Sequence, residues 1–590
     1  METPYQMSRR KRIPYGMMNF ADVRESDCYF VDKTPFIPAI EAANKFFFFI
    51  RPRRFGKSLT MDMLARYYDV LDKDHFESWF GNLYIGQHPT PERNSYLVIR
   101  LNFAVVNAEL NSYRQALDAH CRNRFEYFCD VYRDYLPEST LERLQQRNGA
   151  VDQLDFLIQE CTKTNQALYL FIDEYDHFTN KILSDSDCLN DYKSETHGTG
   201  YLRTFFDTVK GGTQTALKRV FITGVSPVTM DDVTSGFNIG TNYSLSPEFY
   251  ELTGFTEEEV RAMLEYYAEA CAGTPSAFHH TTDELIEKMK PWYDNYCFAE
   301  ESYGRTTMYN STMVLYFLDN YIRNGGQLPK KMLEENIRVD YEKLRMLIRK
   351  DREFAHDASI IQTIVEQGYI TGELKTGFPA EKITNPDNFV SLLYYFGMLT
   401  IDGTLRGDTK LSIPNQVVRE QLYGYLLDTY RENNLGMDEY RRNQLYKGLA
   451  YDGEWKAYFD DIADSLHSYA SQRDKQKGES FVHGFTLALT AQNRFYRPVS
   501  EQDTQAGYVD LFLMPRIEVY PDMEHSYIIE LKYAKLKDSE AVVQQLRKEA
   551  IKQALAYAAT ETVQRSLGTT TLHRIVVVYH GMEMMVCEEV

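Results

Sequence analysis

The sequence predicts a multi-domain α/β protein: a parallel-sheet domain first, a helical middle region, and a second α/β domain at the carboxy terminus. Three observations predict it. Residues 1 to about 265 alternate short apolar runs with helical periodicity, the pattern of a parallel sheet whose crossovers are helices. An apolar run ending at Ile50 is followed by Gly56-Lys57-Ser58 at the start of a helical stretch. From about residue 455 onward, strand-like runs at 507–513, 527–532 and 574–581 are framed by helical segments.

The first element is Lys45 to Thr60, KFFFFIRPRRFGKSLT. Its phenylalanines and Ile50 read as a buried strand, and Phe55-Gly56-Lys57-Ser58 opens an amphipathic helix. Strand, turn and Gly-Lys-Ser at a helix start is an arrangement that holds nucleotide phosphates, because unpaired N–H groups of the first helical turn point at the anion. Arg54, Phe55, Gly56, Lys57, Ser58 and Leu59 are the expected ATP contacts. Lys57 would reach the β- and γ-phosphates, and the Ser58 hydroxyl would ligate Mg²⁺. Arg51 stands where the pattern G-x-x-x-x-G-K-[ST] has its first glycine, and an ordinary basic turn after a core strand is the plainer alternative.

The next strands supply partners. After 97–103, the run at 167–172 ends in Asp173 and Glu174. In P-loop enzymes an acid at this strand tip, here Asp173, holds Mg²⁺ through water, and the next, Glu174, activates the attacking water. Asp176 is the reserve base, or a cap of the following segment. The strand 219–224 carries Thr223 near its tip, with Ser226 beyond, where a polar group would sense the γ-phosphate or simply cap the strand. Three strand tips in this order favour ATP binding.

The polar segment 183–200 reads as an insertion that contacts substrate or partner. Thr256 and Glu259 form a capping box that starts a helix to about Ala272. Loop composition at 272–282 gives way to helical periodicity up to about 366, broken at Asn324-Gly325-Gly326. Residues 389–430 read as helix, hairpin with its turn at Asp402-Gly403, and helix, a winged-helix-like order. With no basic recognition helix in view, packing is preferred there to DNA binding.

Length allows three or four domains, and 43% apolar with 25% charged residues describes a folded soluble chain. No apolar run is long enough to cross a bilayer, and the basic amino-terminal stretch lacks a signal-peptide core. Eight scattered cysteines without a C-x-x-C pair argue for reduced thiols, hence a cytoplasmic protein, and against structural zinc. A net charge of −20 confines any nucleic-acid contact to local basic patches.

At the carboxy terminus, Glu530 and Lys532 project to the same side of one strand, and Asp510 lies on its expected hairpin partner. Two carboxylates and a lysine on one face suit metal-assisted phosphodiester hydrolysis: Asp510 and Glu530 hold a hard cation, and Lys532 orients water or phosphate. A surface salt-bridge pair on an edge strand is the alternative. Glu479, first residue of the preceding helix, would add a carboxylate. The following helix places Val542, Leu546, Ala550 and Ala554 on one stripe, and Gln553 and Tyr557 share a face toward the site. With the final strand this is the α-β-β-β-α-β order of a restriction-endonuclease-like core.

The chain resembles the bacterial and archaeal AAA-ATPase-like proteins that carry a C-terminal PD-(D/E)XK nuclease-superfamily domain. The resemblance rests on IPYGMMNFADVRESDCYFVDKT (13–34), RPRRFGKSLT (51–60), LFIDEYD (170–176), FITGVSPV (221–228), WYDNYCF (292–298), YYFGMLTI (394–401) with LSIPN (411–415), and IIELKYA (528–534). Arginine at the first loop position is usual in that family. Asn295 stands where the family has glycine in Y-D-G-Y, and Gly507-Tyr508-Val509-Asp510 where it has Gly-Arg-x-Asp. The resemblance implies a P-loop AAA-like ATPase domain over 1–270, a helical lid and winged-helix-like region over 271–450, and a nuclease-like domain over 451–590. It further implies an ATP- and Mg²⁺-dependent switch that regulates a nuclease acting on nucleic acid, DNA in preference to RNA, with no membrane partner and with homo-oligomers formed through the ATPase domain. The alternative is an ATP-dependent scaffold whose nuclease-like domain binds a partner without cleaving.

Overall fold

The computed structural model describes residues 10–106, 113–177, 200–228, 239–333, 360–379, 382–383, 385–432, 439–469, 478–499, 502–504 and 507–590. The insertion expected at 183–200 therefore lies, up to residue 199, outside the described residues, as do residues 334–359 of the helical stretch expected from 283 to about 366. The chain separates into two compact units. The first comprises Met1–Gln327, Met332–Leu347 and Thr371–Gln416, and the second Leu328–Lys331, Ile348–Ile370 and Val417–Val590. The span 271–450 is thus shared between them.

The first unit is built on a parallel sheet of β1 (Phe46–Ile50), β2 (Leu97–Asn102), β3 (Leu168–Asp173), β4 (Leu217–Gly224) and β5 (Thr241–Asn242), in the order β2-β3-β4-β1-β5. Helices cover the strands, so their side chains are apolar on both faces and the sequence reads as continuous rather than alternating runs. Phe47 of β1 stacks on Phe221 of β4, ring centroids 5.3 Å apart, and on Tyr243, 4.5 Å away. The two-residue β5 is too short to leave a sequence signal.

The expected capping box of Thr256 and Glu259 is present at the helix Glu257–Cys271. The helix Ser311–Arg323 stops before Gly325 and Gly326, both at positive φ. The boundary between the units falls inside β6 (Tyr369–Gly372), which joins β7 (Thr400–Leu405) and β8 (Asp408–Ser412) in the order β6-β8-β7. Helix, hairpin and helix follow in the expected order, but the turn is displaced. It lies at Arg406-Gly407, both at positive φ as a two-residue hairpin turn requires. Asp402-Gly403 instead marks an irregularity between Ile401 and Thr404 within the pairing.

The second unit holds β9 (Tyr496–Val499), β12 (Leu511–Pro515), β13 (His525–Ala534), β14 (Thr571–His580) and β15 (Glu583–Glu589), in the order β15-β14-β13-β12-β9. Only β13 and β14 run parallel, joined by the crossover helix Glu540–Ala558. A small hairpin of β10 (Gln502–Thr504) and β11 (Gly507–Val509) precedes β12. The strand expected over 507–513 is therefore interrupted at Asp510. The buried stripe of the crossover helix is Val543, Ala550, Ala554 and Tyr557, packed with Ile528, Val576 and Val578. Val542, expected on that stripe, is exposed, because the helix meets the sheet about one position further round.

Candidate functional sites

In the first unit, a cavity of about 570 Å³ is bounded by the loop Arg53–Thr60, by Glu174, and by an apolar wall that includes Met17, Met18, Tyr29, Phe30 and Phe255. The helix Lys57–Tyr68 begins on Gly56, at φ +84°, with no side-chain cap. Its first N–H groups are thus left to a ligand, and the helix dipole adds positive potential there. Lys57 is buried, and its ammonium donates to the Pro52 carbonyl at 2.9 Å. Burial pulls its pKa down, against the opposing charges of Glu174 and Asp173. Ser58 Oγ donates to Asp173 Oδ2 at 2.8 Å, so the loop hydroxyl and the β3 tip are in contact. Burial, then the Glu174 charge, push the Asp173 pKa up.

Glu174 lines the cavity at φ +52°, its N–H donating to Asp173 Oδ1 at 2.9 Å. A non-glycine residue in the left-handed region is uncommon and marks positions where aim outweighs local strain. Asp176 is buried and accepts the N–H groups of Val225 and Ser226, at 3.2 and 2.6 Å. It caps the β4 exit, not the segment that follows it in the chain, where a capping role was expected. Thr223 is placed differently from a sensor: it is buried, and its hydroxyl donates to the Phe49 carbonyl of β1 at 2.8 Å, inside the sheet.

Arg51 has its own explanation. It is buried against the rings of Phe49 and Phe298, 4.3 and 4.4 Å from its guanidinium carbon, and donates to the carbonyls of Ile50 and Ser244. Burial lowers its pKa to about 10. The arginine thus pins the loop base from behind. The motif WYDNYCF supports the same place, with Tyr296 and Phe298 packing edge-on against Phe55 at 4.9 and 5.2 Å. Asn295 takes φ +74°, which explains why glycine is usual there and why asparagine, the residue next most tolerant of that region, replaces it.

Two features escaped the sequence reading. Ser311 and Thr312, at the start of a helix far along the chain, donate to the Arg54 carbonyl from their hydroxyls at 3.2 and 2.9 Å. Lys33 lines the cavity and is clamped by both carboxylate oxygens of Glu259, at 2.7 and 2.8 Å. Both depend on long-range neighbours, so neither has a local motif.

In the second unit, β12 and β13 pair with Leu511 opposite Ile529, so Asp510 falls beside Glu530. Lys532 Nζ lies 3.0 Å from Asp510 Oδ2 and 3.2 Å from Glu530 Oε2. Asp510 Oδ2 also accepts the Leu531 N–H at 3.0 Å. Glu530 is fully buried, and burial together with the Asp510 charge holds its pKa far above the carboxylate range, at about 8. Tyr557 senses the same charges, Glu530 ahead of Asp510, after its own burial. Gln553, one turn earlier, has a buried Oε1 without a hydrogen-bond partner among the described residues. Glu479 is exposed at the start of the helix Glu479–Thr490 and lies by Tyr533. Among the described residues no three acidic, histidine or cysteine side chains gather closely enough to hold a cation, so Glu479 is not drawn in with Asp510 and Glu530. His483, one turn after Glu479, was missed: its Nε2 lies 3.3 Å from the Asp510 carbonyl and steadies the strand break. Its spacing of four from Glu479 was the available signal.

A glycine-capped phosphate loop on a parallel sheet, followed by a restriction-endonuclease-like sheet with an Asp, Glu, Lys constellation, defines a P-loop ATPase-like protein with a nuclease-like domain. The comparisons agree. Residues 14–234 match the family described as predicted AAA-ATPase, and residues 477–589 match the PD-(D/E)XK nuclease superfamily. The chain carries both domains. A curated relative, described as an uncharacterized protein in the vnfD 5′ region of Azotobacter chroococcum mcd 1, is 23% identical over 294 residues, 50% of each chain. The chain thus spans about half the length of that relative. Two solved structures align at 11% identity. Cdc6p from Pyrobaculum aerophilum aligns over 71% of this chain and 96% of its own, TM-score 0.26. The Aeropyrum pernix ORC2 protein, solved as ADPNP-ADP complexes, aligns over 67% and 93%, TM-score 0.28. Likeness this loose bears no weight on the fold. No helix among the described residues is long and apolar enough to cross a membrane.

Proposed function

We propose that the chain hydrolyses ATP at the loop Arg54–Leu59 and that nucleotide state regulates a Mg²⁺-dependent nuclease site at Asp510, Glu530 and Lys532, acting on DNA. The observation that carries the reading is the meeting of Lys532 Nζ with both Asp510 Oδ2 and Glu530 Oε2, at 3.0 and 3.2 Å, around a fully buried glutamate. A surface ion pair on an edge strand would not bury its glutamate completely, as Glu530 is buried here. The acid pair fits a hard cation, since its oxygens already converge on a single positive charge. Such a cation, when bound, lowers the pKa of a water and offsets phosphate charge.

Asp510 and Glu530 present the carboxylates, Lys532 orients water or phosphate, and Gln553 and Tyr557 flank the opening. In the first unit, Lys57, which donates to the Pro52 carbonyl, would hold the β- and γ-phosphates. Ser58 and Asp173, 2.8 Å apart, would hold the Mg²⁺ of the nucleotide, and Glu174 would align the attacking water. The apolar wall at Met17, Tyr29 and Phe30 takes the base. The free thiols of the seven described cysteines support a reducing, cytoplasmic setting. Domain limits near 270 and 450, a winged-helix-like region that packs rather than reads DNA, and homo-oligomers through the ATPase domain complete the proposal. The test is Mg²⁺-dependent cleavage of plasmid and single-stranded DNA with and without ATP. Cleavage that ATP modulates is expected; partner binding without cleavage under any nucleotide would replace this reading with the scaffold.

A further inference from the structure

Beyond the catalytic strand lies a surface that the site itself does not use. Strand β13 ends at Ala534, and Lys535, Leu536 and Lys537 follow, all exposed. Leu536 is 71% exposed. The loop is nevertheless closed: the Lys535 N–H donates to Asp538 Oδ2 and the Asp538 N–H to the Lys535 carbonyl, both at 2.8 Å. Leu536 leans on the turn between β14 and β15, where a Cβ on Gly581 would stand 2.7 Å from Leu536 Cδ2. Gly581, at φ +63°, is what leaves room for it. Among the described residues Lys535 and Lys537 make no ion pair, whereas nearby Lys532 and Arg547 are both paired. The loop follows Lys532 by three residues at the end of the same strand, which places it beside the candidate nuclease site. At roughly 3.3 Å per residue, Lys535 stands about 10 Å past Lys532, or about three base steps along a duplex.

We propose that Lys535-Leu536-Lys537 is the loop that grips duplex DNA beside the cleavage site, an inference that rests on the nuclease reading above. The two ammoniums take backbone phosphates on one side of the scissile bond. Leu536, exposed on the closed turn, meets the minor groove, where apolar side chains insert between base steps. On a chain of net charge −20, exposed lysines without a carboxylate partner are where a polyanion can approach.

The full-length chain, without Mg²⁺ so that DNA stays intact, is titrated with a short labelled DNA duplex over a range of salt. Lys535→Ala/Lys537→Ala is expected to weaken binding and to reduce the slope of log affinity against log salt by about 2, since each lost phosphate contact removes about 0.9. Leu536→Asn is expected to weaken binding several-fold with the slope unchanged, because an apolar contact releases no counterion. Unchanged affinity and slope in the lysine variant overturn the proposal, as does a wild-type chain that binds no duplex. The same variants are assayed for Mg²⁺-dependent cleavage. Cleavage with an unaltered KM in the lysine variant rejects the loop and leaves the nuclease reading standing. Binding that responds as expected without any cleavage rejects the nuclease and leaves the loop as a binding element.

Discussion

At the scale of single residues, the nucleotide loop was largely legible because Gly56, Lys57 and Ser58 sit together in the chain, and phosphate binding needs them contiguous. Lys57→Ala is expected to abolish nucleotide binding in calorimetry, since the phosphates lose a point charge in a closed site; retained affinity would move the site. Glu174→Gln should keep ATP affinity and slow turnover by about 10² or more, the scale of losing a positioned base. Equal turnover would assign the base elsewhere. Thr223 was not legible, because its hydroxyl bonds β1, a strand distant in sequence. Asp69 is a second such case. It accepts Tyr132 Oη at 2.7 Å and the Leu71 N–H at 3.0 Å, and burial raises its pKa to about 6. A carboxyl whose folded pKa lies above its unfolded value favours folding while protonated. That contribution is complete below about pH 4 and lost as pH rises through about 6, a change on the order of 3 kcal/mol. Denaturant midpoints measured from pH 4 to 7 should show Asp69→Asn losing this component of the slope. Parallel profiles for the two proteins would count against it.

At the scale of elements, apolar runs located β1, β2, β3 and β4 because a parallel sheet covered on both faces needs unbroken apolar strands. Boundaries shifted where pairing intervened. Asp510 ends one hairpin and begins another pairing, and Arg406-Gly407 takes the turn that Asp402-Gly403 was expected to form. The start of the helix Ser311–Arg323 acts on a remote element, since its hydroxyls hold the Arg54 carbonyl and with it the curvature of the phosphate loop. Ser311→Ala/Thr312→Val should leave the helix in place, capped by Asn310, while nucleotide affinity falls roughly tenfold for two lost hydrogen bonds. An unaltered dissociation constant with an intact circular dichroism spectrum would show that the loop holds its shape unaided.

At the scale of the whole molecule, the two chemical sites lie in separate compact units, each with its own sheet. Asp510→Ala or Lys532→Ala should therefore stop phosphodiester cleavage while ATP turnover is mostly retained, measured on the same preparation; parallel loss of both activities would make the sites one machine. The family-level order of an ATPase-like region and a nuclease-like region was readable from motifs, because strand tips, the phosphate loop and Glu530-x-Lys532 are local arrangements that backbone periodicity alone orients. The sequence by itself thus determined the two sheets, the two chemistries they suit and the residues in contiguous motifs. Only the tertiary structure decided that Asp510 falls beside Glu530 at a strand break, that Arg51 is a buried pin, that Glu479 stands apart from the acid pair, and that Ser311 and Thr312 shape a loop far earlier in the chain. The physical reason is that register, burial and long-range hydrogen bonds are set by which surfaces meet, and no local spacing encodes that meeting.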